Sequence, residues 1–287
     1  MTRRSIKWRH SREDDPDFKA SFEKVIMEIS LSSDDNCLGQ SRNVEKQYFI
    51  NHKESVRQNV LMIQKGLRIL PKGKESAILD IGTSPMTFVY RKCFPNVRMF
   101  TIDLTSLLAD RCHKNRIEHC VCDLLKDEIP FSPDQMDMVV FTEVFEHLNT
   151  GPGKVFSEIK KILRAGGILV FSLPNIAMLS KRIKAIMGKA VLDPVYRVYK
   201  EEKSASSHGD GIWVHGFGHV REYTMAETID IVHHYGFNVL MTRSADTHIS
   251  LPKGASILRH VMNPLYRVAS SIVPNSGMIN IVLAKKR

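Results

Sequence analysis

The chain has 287 residues, of which 43% are hydrophobic, and it carries a formal net charge of +10 at pH 7. This hydrophobic share is enough for a sizeable core and excludes a chain that is disordered throughout. The positive charge predicts attraction to anionic partners, such as nucleic acid, acidic lipid headgroups or phosphorylated carriers.

The five cysteines lack the spacing of a disulfide framework, which is typical of a reducing compartment. Residues 1–17 lack the apolar core of a signal peptide, and no later stretch is long and apolar enough to span a membrane. We therefore expect a cytoplasmic protein that is soluble or peripheral to a membrane.

The first part of the chain, residues 1–44, is predicted to be a polar and partly disordered leader with one short helix at about 18–31. In the next segment, 44–70, apolar residues recur at helical spacing and Pro71 closes the element. We expect this helix to cover the ligand pocket or the sheet edge.

Strands and helices alternate from there to the end of the chain. Predicted strands lie at 77–80, 98–103, 119–122, 136–142, 168–172, 237–243 and 278–284. Such alternation implies right-handed crossovers and a parallel sheet. The predicted fold class is α/β, a Rossmann-like, seven-stranded, mostly parallel sheet with helices on both faces, plus an N-terminal helical extension and two insertions.

The two insertions interrupt the alternation at about 176–220 and 246–277. The first begins with a basic amphipathic stretch and continues into a segment rich in glycine and histidine, and the second repeats an apolar series with arginines alongside. These patterns favour contact with a membrane surface or an anionic carrier. An ordinary solvated helix with its apolar face on the core would show the same pattern.

Acidic residues follow three successive predicted strands, at Asp80, Asp103 and Asp123. In an open α/β sheet, ligands bind outside the carboxyl ends of the strands, so these side chains are expected to converge on one ligand. Acids suit hydroxyls, amines and cations better than pyrophosphate. The G-x-G-x-x-G pattern of dinucleotide sites is also absent, because Ser84 and Thr87 stand at its second and third glycine positions.

Five short runs in this order resemble the class I S-adenosylmethionine-dependent methyltransferases, specifically the small-molecule branch. They are Leu79-Asp80-Ile81-Gly82, Ile102-Asp103-Leu104, Cys122-Asp123-Leu124, Glu143-Val144-Phe145-Glu146-His147-Leu148 and Leu163-Arg164-Ala165-Gly166-Gly167-Ile168-Leu169. The resemblance spans roughly residues 76–243. It implies a methyltransferase domain at 45–287 and S-adenosylmethionine as the cofactor.

The resemblance also implies the roles of individual residues. Asp80 and Gly82 would face the methionine part of the cofactor, and Asp103 would bind its ribose hydroxyls. The full cofactor set implied is Asp80, Gly82, Thr83, Asp103, Leu104, Asp123, Leu124, Thr142 and Glu143, with Asp123 and Leu124 at the adenine and the Thr142-Glu143 pair at the amino acid end.

Methyl transfer is an in-line displacement, so the protein mainly aligns the reacting atoms and no metal is required. A hydroxyl acceptor needs a base, and His147 and His219 are our catalytic candidates. We expect no metal site. The glycine-rich segment that holds His215 and His219 is not expected to be helical, and Cys120 and Cys122 fall in a predicted buried strand.

The predicted function is methyl transfer to a small-molecule or lipid-linked glycan acceptor at oxygen. The chain lacks the Asn/Asp-Pro-Pro-Tyr/Phe tetrapeptide of many amino-group methylating relatives, which favours oxygen over nitrogen. Many nitrogen-methylating enzymes lack this tetrapeptide too, so the acceptor atom stays open. Two alternatives stay open: a non-catalytic scaffold of the same fold, and an RNA or protein methyltransferase. We do not expect a nucleic-acid partner, since no aromatic-basic module accompanies the basic leader. The sequence does not predict the oligomeric state.

Overall fold

The computed structural model describes residues 22, 24–26, 42–71, 75–192, 219–245 and 272–287. Within these ranges seven strands form one sheet, in the order β3-β2-β1-β4-β5-β7-β6. The strands are β1 (Ala77–Ile81), β2 (Arg98–Asp103), β3 (Ile117–Val121), β4 (Met136–Thr142), β5 (Leu163–Pro174), β6 (Phe237–Ala245) and β7 (Ile279–Lys286). Pairing is parallel from β3 to β5, whereas β7 is antiparallel to both β5 and β6.

The helices of the described residues lie on both faces of this sheet. They are α1 (Arg42–Ile69), α2 (Pro85–Cys93), α3 (Ala109–Lys114), α4 (Pro152–Ile162), α5 (Leu179–Ile186) and α6 (Met225–His234), with a short 3₁₀ helix at Phe145–His147. The first three helices share one apolar cluster with one face of the sheet. The opposite face packs against α4 and α6. The predicted fold class is therefore confirmed.

Strand β1 shows why the apolar pattern of a buried strand can be recognised in the sequence. All five of its residues are buried; Ile78 packs with α1 and α2, while Leu79 and Ile81 pack on the face covered by α4. Because helices cover both faces, β1 is a mostly apolar run rather than an alternating one.

The long helix α1 lies over the central strands. A Cβ atom at Gly66 would be 2.6 Å from Cε of Met138 in β4 and 3.0 Å from Cγ2 of Ile168 in β5. The helix therefore covers a face of the sheet rather than only its edge. Phe22 and Ile26 are buried in the same cluster, so these leader residues belong to the core, and most of the leader lies outside the described residues.

Two predicted elements differ from the structure. β3 begins at Ile117 and is an edge strand in which Val121 is 57% exposed, so it is not the buried strand expected at 119–122. The glycines in the run Arg164-Ala165-Gly166-Gly167 predict a turn before the strand at 168–172. In the structure this run is a bulge inside β5, where the register shifts between the Met136–Leu163 and Met138–Ile168 pairs. Glycines at this point allow the bulge without ending the strand.

The insertions lie largely outside the described residues. Of the first, the structure describes residues 176–192, which include α5, together with 219–220. Of the second, it describes 272–277. None of the helices in the described ranges is both long and apolar enough to cross a bilayer.

Candidate active site

The turn after β1 is built around Gly82, whose φ of +90° lies in the region that favours glycine. Its amide donates to the carbonyl of Ile102 at the end of β2 (2.9 Å). A Cβ atom at Gly82 would lie 2.4 Å from Cγ2 of Val144, just beyond β4. The carboxyl ends of β1, β2 and β4 thus meet where the strand order reverses, which is where open α/β sheets bind ligands.

The residues that replace a glycine-rich turn after Gly82 form the start of α2. Oγ of Ser84 accepts from the amide of Met86 (3.2 Å), and Oγ1 of Thr87 accepts from the amide of Ser84 (3.0 Å). Pro85 is the first helical residue, where a missing N–H costs no hydrogen bond. The run from Thr83 to Thr87 therefore forms a well-capped helix N-terminus.

Asp80 lies at the centre of this turn and is buried. Burial raises its pKa to about 8, the hydrogen bond from Oγ1 of Thr87 (2.6 Å) opposes that rise, and the nearby Asp103 carboxylate adds to it. A carboxyl with this pKa is largely protonated at neutral pH.

Asp103 connects the ends of β1 and β2. Its Oδ2 accepts from the amide of Thr83 (2.9 Å) and its Oδ1 from the amide of Thr105 (3.0 Å). Each carboxylate oxygen has a second lone pair, so Asp103 can accept further hydrogen bonds from a ligand. The predicted residues Asp80, Gly82, Thr83 and Asp103 therefore lie together at one turn.

Asp123 follows β3 and is linked to the same edge, because the amide of Cys122 donates to the carbonyl of Asp103 (2.8 Å). Its Oδ1 accepts from the amide of Leu125 (2.9 Å), and its Oδ2 pairs with Lys126 (3.0 Å). The backbone hydrogen bond, followed by that from Lys126, holds the pKa of Asp123 below its ordinary value.

Leucines lie beside these carboxylates. Leu104 is 58% exposed and Leu107 64% exposed, and Leu125 is also exposed. Leu124 instead packs partly against the core face that includes α4. Exposed apolar side chains next to ionised acids suit a ligand with an apolar ring and hydroxyl groups.

Glu143 follows β4 directly and has a strained backbone, with φ of +55°. Its amide donates to the carbonyl of Ser172 (3.1 Å), and Oγ of Ser172 donates to its Oε1 (3.0 Å). Burial raises the pKa of Glu143 to about 7 against this hydrogen bond. Thr142, the last residue of β4, is buried beside Ser172 in the register of the sheet.

The two histidines predicted as catalytic candidates lie side by side, with ring centroids 5.1 Å apart. The carbonyl of Glu146 accepts from the amide of Val220 (2.8 Å), which ties the segment after the first insertion to the 3₁₀ helix. Nε2 of His147 lies 3.8 Å from Oε1 of the buried Glu146. Sequence spacing does not predict this proximity.

Three further polar residues support this cluster and are not among the predicted site residues: Glu146, Glu222 and Lys181. Nδ1 of His219 lies 2.9 Å from Oε1 of Glu222, whose Oε2 pairs with Lys181 on α5. Burial would raise the pKa of Glu222, but hydrogen bonds from His219 and Lys181 outweigh it and lower that pKa. Burial, followed by the charge of Glu143, raises the pKa of Glu146.

Of these three residues, only Glu146 belongs to a motif that the sequence analysis used, as the second acid of the Glu-Val-Phe-Glu-His run. Lys181 lies in the basic amphipathic stretch, where it looks like one more surface lysine, and Glu222 lies in the irregular segment before α6. His215, which shares the predicted glycine-rich segment with His219, lies outside the described residues.

Comparison with known proteins gives one family match. Residues 79–171 match the family described as a methyltransferase domain. No curated protein is significantly similar in sequence to the chain.

Three solved structures share the fold. A methyltransferase from Thermotoga maritima is 13% identical with a TM-score of 0.51, over 85% of this chain and 95% of that one. One from Archaeoglobus fulgidus is also 13% identical with a TM-score of 0.51, over 84% and 99%. The [4+2]-cyclase SpnF is 14% identical with a TM-score of 0.50, over 81% of both chains. Identities this low establish the fold alone, and the cyclase shows that the fold serves more than one reaction.

Proposed function

We propose that this chain is a class I S-adenosylmethionine-dependent methyltransferase that methylates an oxygen of a small-molecule or lipid-linked acceptor. The match of residues 79–171 to a methyltransferase-domain family and the order of the strands support this proposal. The observation that carries the proposal is the position of the His147–His219 pair beyond β4, with ring centroids 5.1 Å apart. Glu143 begins the segment that follows β4, and Val144 in that segment packs on the Gly82 turn.

The carboxyl edge of the sheet fits the cofactor. Asp103 has lone pairs for ribose hydroxyls, and the exposed Leu104 and Leu125 offer an apolar surface for a purine. The absence of a side chain at Gly82 keeps the turn close to β4. When bound, S-adenosylmethionine supplies an electrophilic methyl group.

The remaining chemistry belongs to the protein. A hydroxyl must lose its proton as its oxygen attacks, and His147 or His219 accepts that proton. Glu222 orients the His219 ring through Nδ1, so Nε2 is the nitrogen left for the acceptor. In sequence, Glu143 lies between the Gly82 turn and the two histidines. Its proposed role is to contact the amino acid end of the cofactor.

The exposed side of α5 supports a lipid-linked acceptor. Ile186 is 87% exposed and Ile183 and Met187 are also exposed, with basic Lys184 between them and Lys189 beyond. The same helix reaches the site through Lys181. Apolar side chains flanked by lysines are typical of peripheral membrane contact. The wild type should sediment with phosphatidylglycerol vesicles but not with phosphatidylcholine vesicles. Loss of this sedimentation in Ile186→Ser would support the membrane contact.

Calorimetric titration with S-adenosylmethionine and S-adenosylhomocysteine tests the cofactor assignment. We expect Asp103→Ala to lose about 1.5–3 kcal/mol of binding free energy, because a charge-assisted acceptor disappears. The control Asp230→Ala changes an exposed acid on α6 and should bind normally. No binding by the wild type would favour the non-catalytic scaffold. If the wild type binds the cofactor but turns over only with RNA or protein, the chain is an RNA or protein methyltransferase.

A screen of hydroxyl-bearing acceptors, with S-adenosylhomocysteine release as the readout, then tests the reaction. Variants His147→Ala and His219→Ala should keep cofactor affinity and lose turnover. Turnover on amines alone would contradict methylation at oxygen.

A further inference from the structure

Three potential metal ligands converge beside the proposed acceptor position. Glu146, His147 and His219 each place one ligand atom within 4.8 Å of the other two. Ligands that share an ion at about 2.1 Å lie roughly 3.0–3.4 Å apart. The 3.8 Å between Nε2 of His147 and Oε1 of Glu146 is too long for a hydrogen bond and close to the separation of two such ligands.

The buried carboxylate provides a second, independent observation. Glu146 is 1% exposed, and its Oε2 has no hydrogen-bond partner among the described residues. The amide of Val220 donates to the backbone carbonyl of Glu146, not to its side chain. A buried carboxylate oxygen without a partner is costly, and a bound cation removes that cost.

The surroundings of His219 resemble those of a metal ligand. A ligating imidazole usually donates its other ring N–H to a carboxylate, which fixes the tautomer and the ring orientation. Glu222 occupies this position, with Oε1 2.9 Å from Nδ1 of His219, and Lys181 holds Glu222 in place. Nε2 of His219 is therefore the nitrogen available to the cluster.

The geometry points to a divalent cation site formed by Glu146, His147 and His219. This inference rests on the proposed methyl transfer to oxygen and replaces the histidine base of that proposal with a metal-bound acceptor. Two imidazoles and one carboxylate suit Zn²⁺ or Mn²⁺ better than Ca²⁺ or Mg²⁺, which prefer all-oxygen sites. Three protein ligands leave a coordination position open, where an oxygen of the acceptor would bind.

This site assigns the histidines a different role from that of a base. Coordination lowers the pKa of a hydroxyl, so its proton passes to water before the transfer. The acceptor oxygen then forms the bond to the methyl carbon, and the electron pair of the broken carbon–sulfur bond stays on sulfur. The acceptor class is accordingly a hydroxyl compound that can reach this position with its oxygen.

Metal binding is measured on the untagged full-length chain after treatment with EDTA. Calorimetric titration with ZnCl₂, and electron paramagnetic resonance with MnCl₂, should give about one ion per chain. We expect Glu146→Gln and His219→Ala to weaken this binding at least 100-fold. Glu222→Gln, which leaves the three ligands in place, should weaken it about 10- to 100-fold.

A control variant and a second readout make the outcome decisive. His233→Ala removes an exposed histidine on α6 and should leave metal binding unchanged. S-adenosylhomocysteine affinity, measured on each variant, shows that it is folded. The metal site is overturned if the wild type binds neither Zn²⁺ nor Mn²⁺, or if Glu146→Gln binds them as tightly as the wild type does. Either result would leave the cofactor assignment standing, provided that S-adenosylhomocysteine still binds. Metal binding without cofactor binding overturns the proposed function instead.

Discussion

Gly82 and Val144 approach each other so closely that a Cβ atom on the glycine would lie 2.4 Å from Cγ2 of the valine. The contact joins the turn after β1 to the segment after β4, which carries Glu143. Space and backbone conformation both require glycine here, because its φ is +90°.

The first prediction concerns this contact. Gly82→Ala should lower the free energy of unfolding by about 1–3 kcal/mol from backbone strain, with overpacking against Val144 adding to the loss. It should also weaken S-adenosylhomocysteine binding, because the turn must move away from β4. Urea unfolding and calorimetry measure the two effects.

The matched control is Gly153→Ala, at a glycine inside α4 whose added Cβ would lie 3.5 Å from the Tyr235 hydroxyl, an ordinary contact. This variant should be as stable as the wild type or more stable, since alanine favours the helix. Equal stability of Gly82→Ala and Gly153→Ala would contradict the close contact.

The second prediction follows from the pKa of Asp80, which burial raises to about 8 from an ordinary value near 3.8. Between about pH 4 and pH 8, the Asp80 carboxyl is therefore protonated in the folded protein and ionised in the unfolded chain. The contribution of Asp80 to stability is therefore fully present below about pH 4 and is lost as pH rises through about 8.

Asp80→Asn removes this titration, so the stability of the variant relative to wild type should increase as pH rises from about 4 to 8. Unfolding in urea at several pH values measures the difference. Asn238→Ala, an exposed control that removes no titratable group, should give a difference that does not change with pH. A pH-independent difference for Asp80→Asn would mean that the folded carboxyl has an ordinary pKa.

The fold was predictable because helices cover both faces of the sheet. That burial makes β1 and β4 mostly apolar runs, each with a single aspartate, and turns lie between the strands. β3 was shifted in the prediction because an edge strand has mixed exposure, and Val121 faces solvent. The bulge in β5 resembled a turn because its adjacent glycines, Gly166 and Gly167, are typical of both.

That the acids after β1, β2 and β3 lie at one edge was predictable, because parallel strands bring their carboxyl ends to one side of the sheet. For the histidine cluster, the sequence predicted the two histidines as candidates but not their proximity. His147 and His219 meet because Val220 hydrogen-bonds to the carbonyl of Glu146, a tertiary contact with no periodic trace. Glu222 and Lys181 are likewise joined only by the folded chain.

The third prediction concerns Asn175, which is fully buried just after β5. Its Nδ2 donates to the carbonyls of Asn275 (2.8 Å) and Gly277 (2.7 Å), and its Oδ1 accepts from the amide of Ala177 (2.9 Å). These bonds connect the flanks of the two insertions.

Asn175→Ala should destabilise the protein by about 1–3 kcal/mol, because buried backbone groups lose their partners. The control Asn238→Ala, at an exposed asparagine of β6, should change stability by about 0.5 kcal/mol or less. Thermal unfolding compares the two variants, and equal melting temperatures would show that water replaces these bonds.

The fourth prediction separates a structural acid from the acids of the site. Asp137 is buried at the amino end of β4, where its Oδ2 accepts from the amide of Ala77 (2.7 Å) and its Oδ1 pairs with Arg164 (2.6 Å). This end of the strand lies opposite the carboxyl edge that holds Asp103.

Arg164→Met leaves the Asp137 carboxylate buried without its cation, which typically costs about 3–5 kcal/mol. Removing both charges in Arg164→Met with Asp137→Asn should restore much of that loss, because no buried charge is then left unpaired. Urea unfolding of the single and double variants measures the recovery. At urea concentrations where the variants are folded, S-adenosylhomocysteine affinity should match wild type, because the pair lies at the far end of the strand. A large loss of affinity would place Asp137 with the cofactor acids instead.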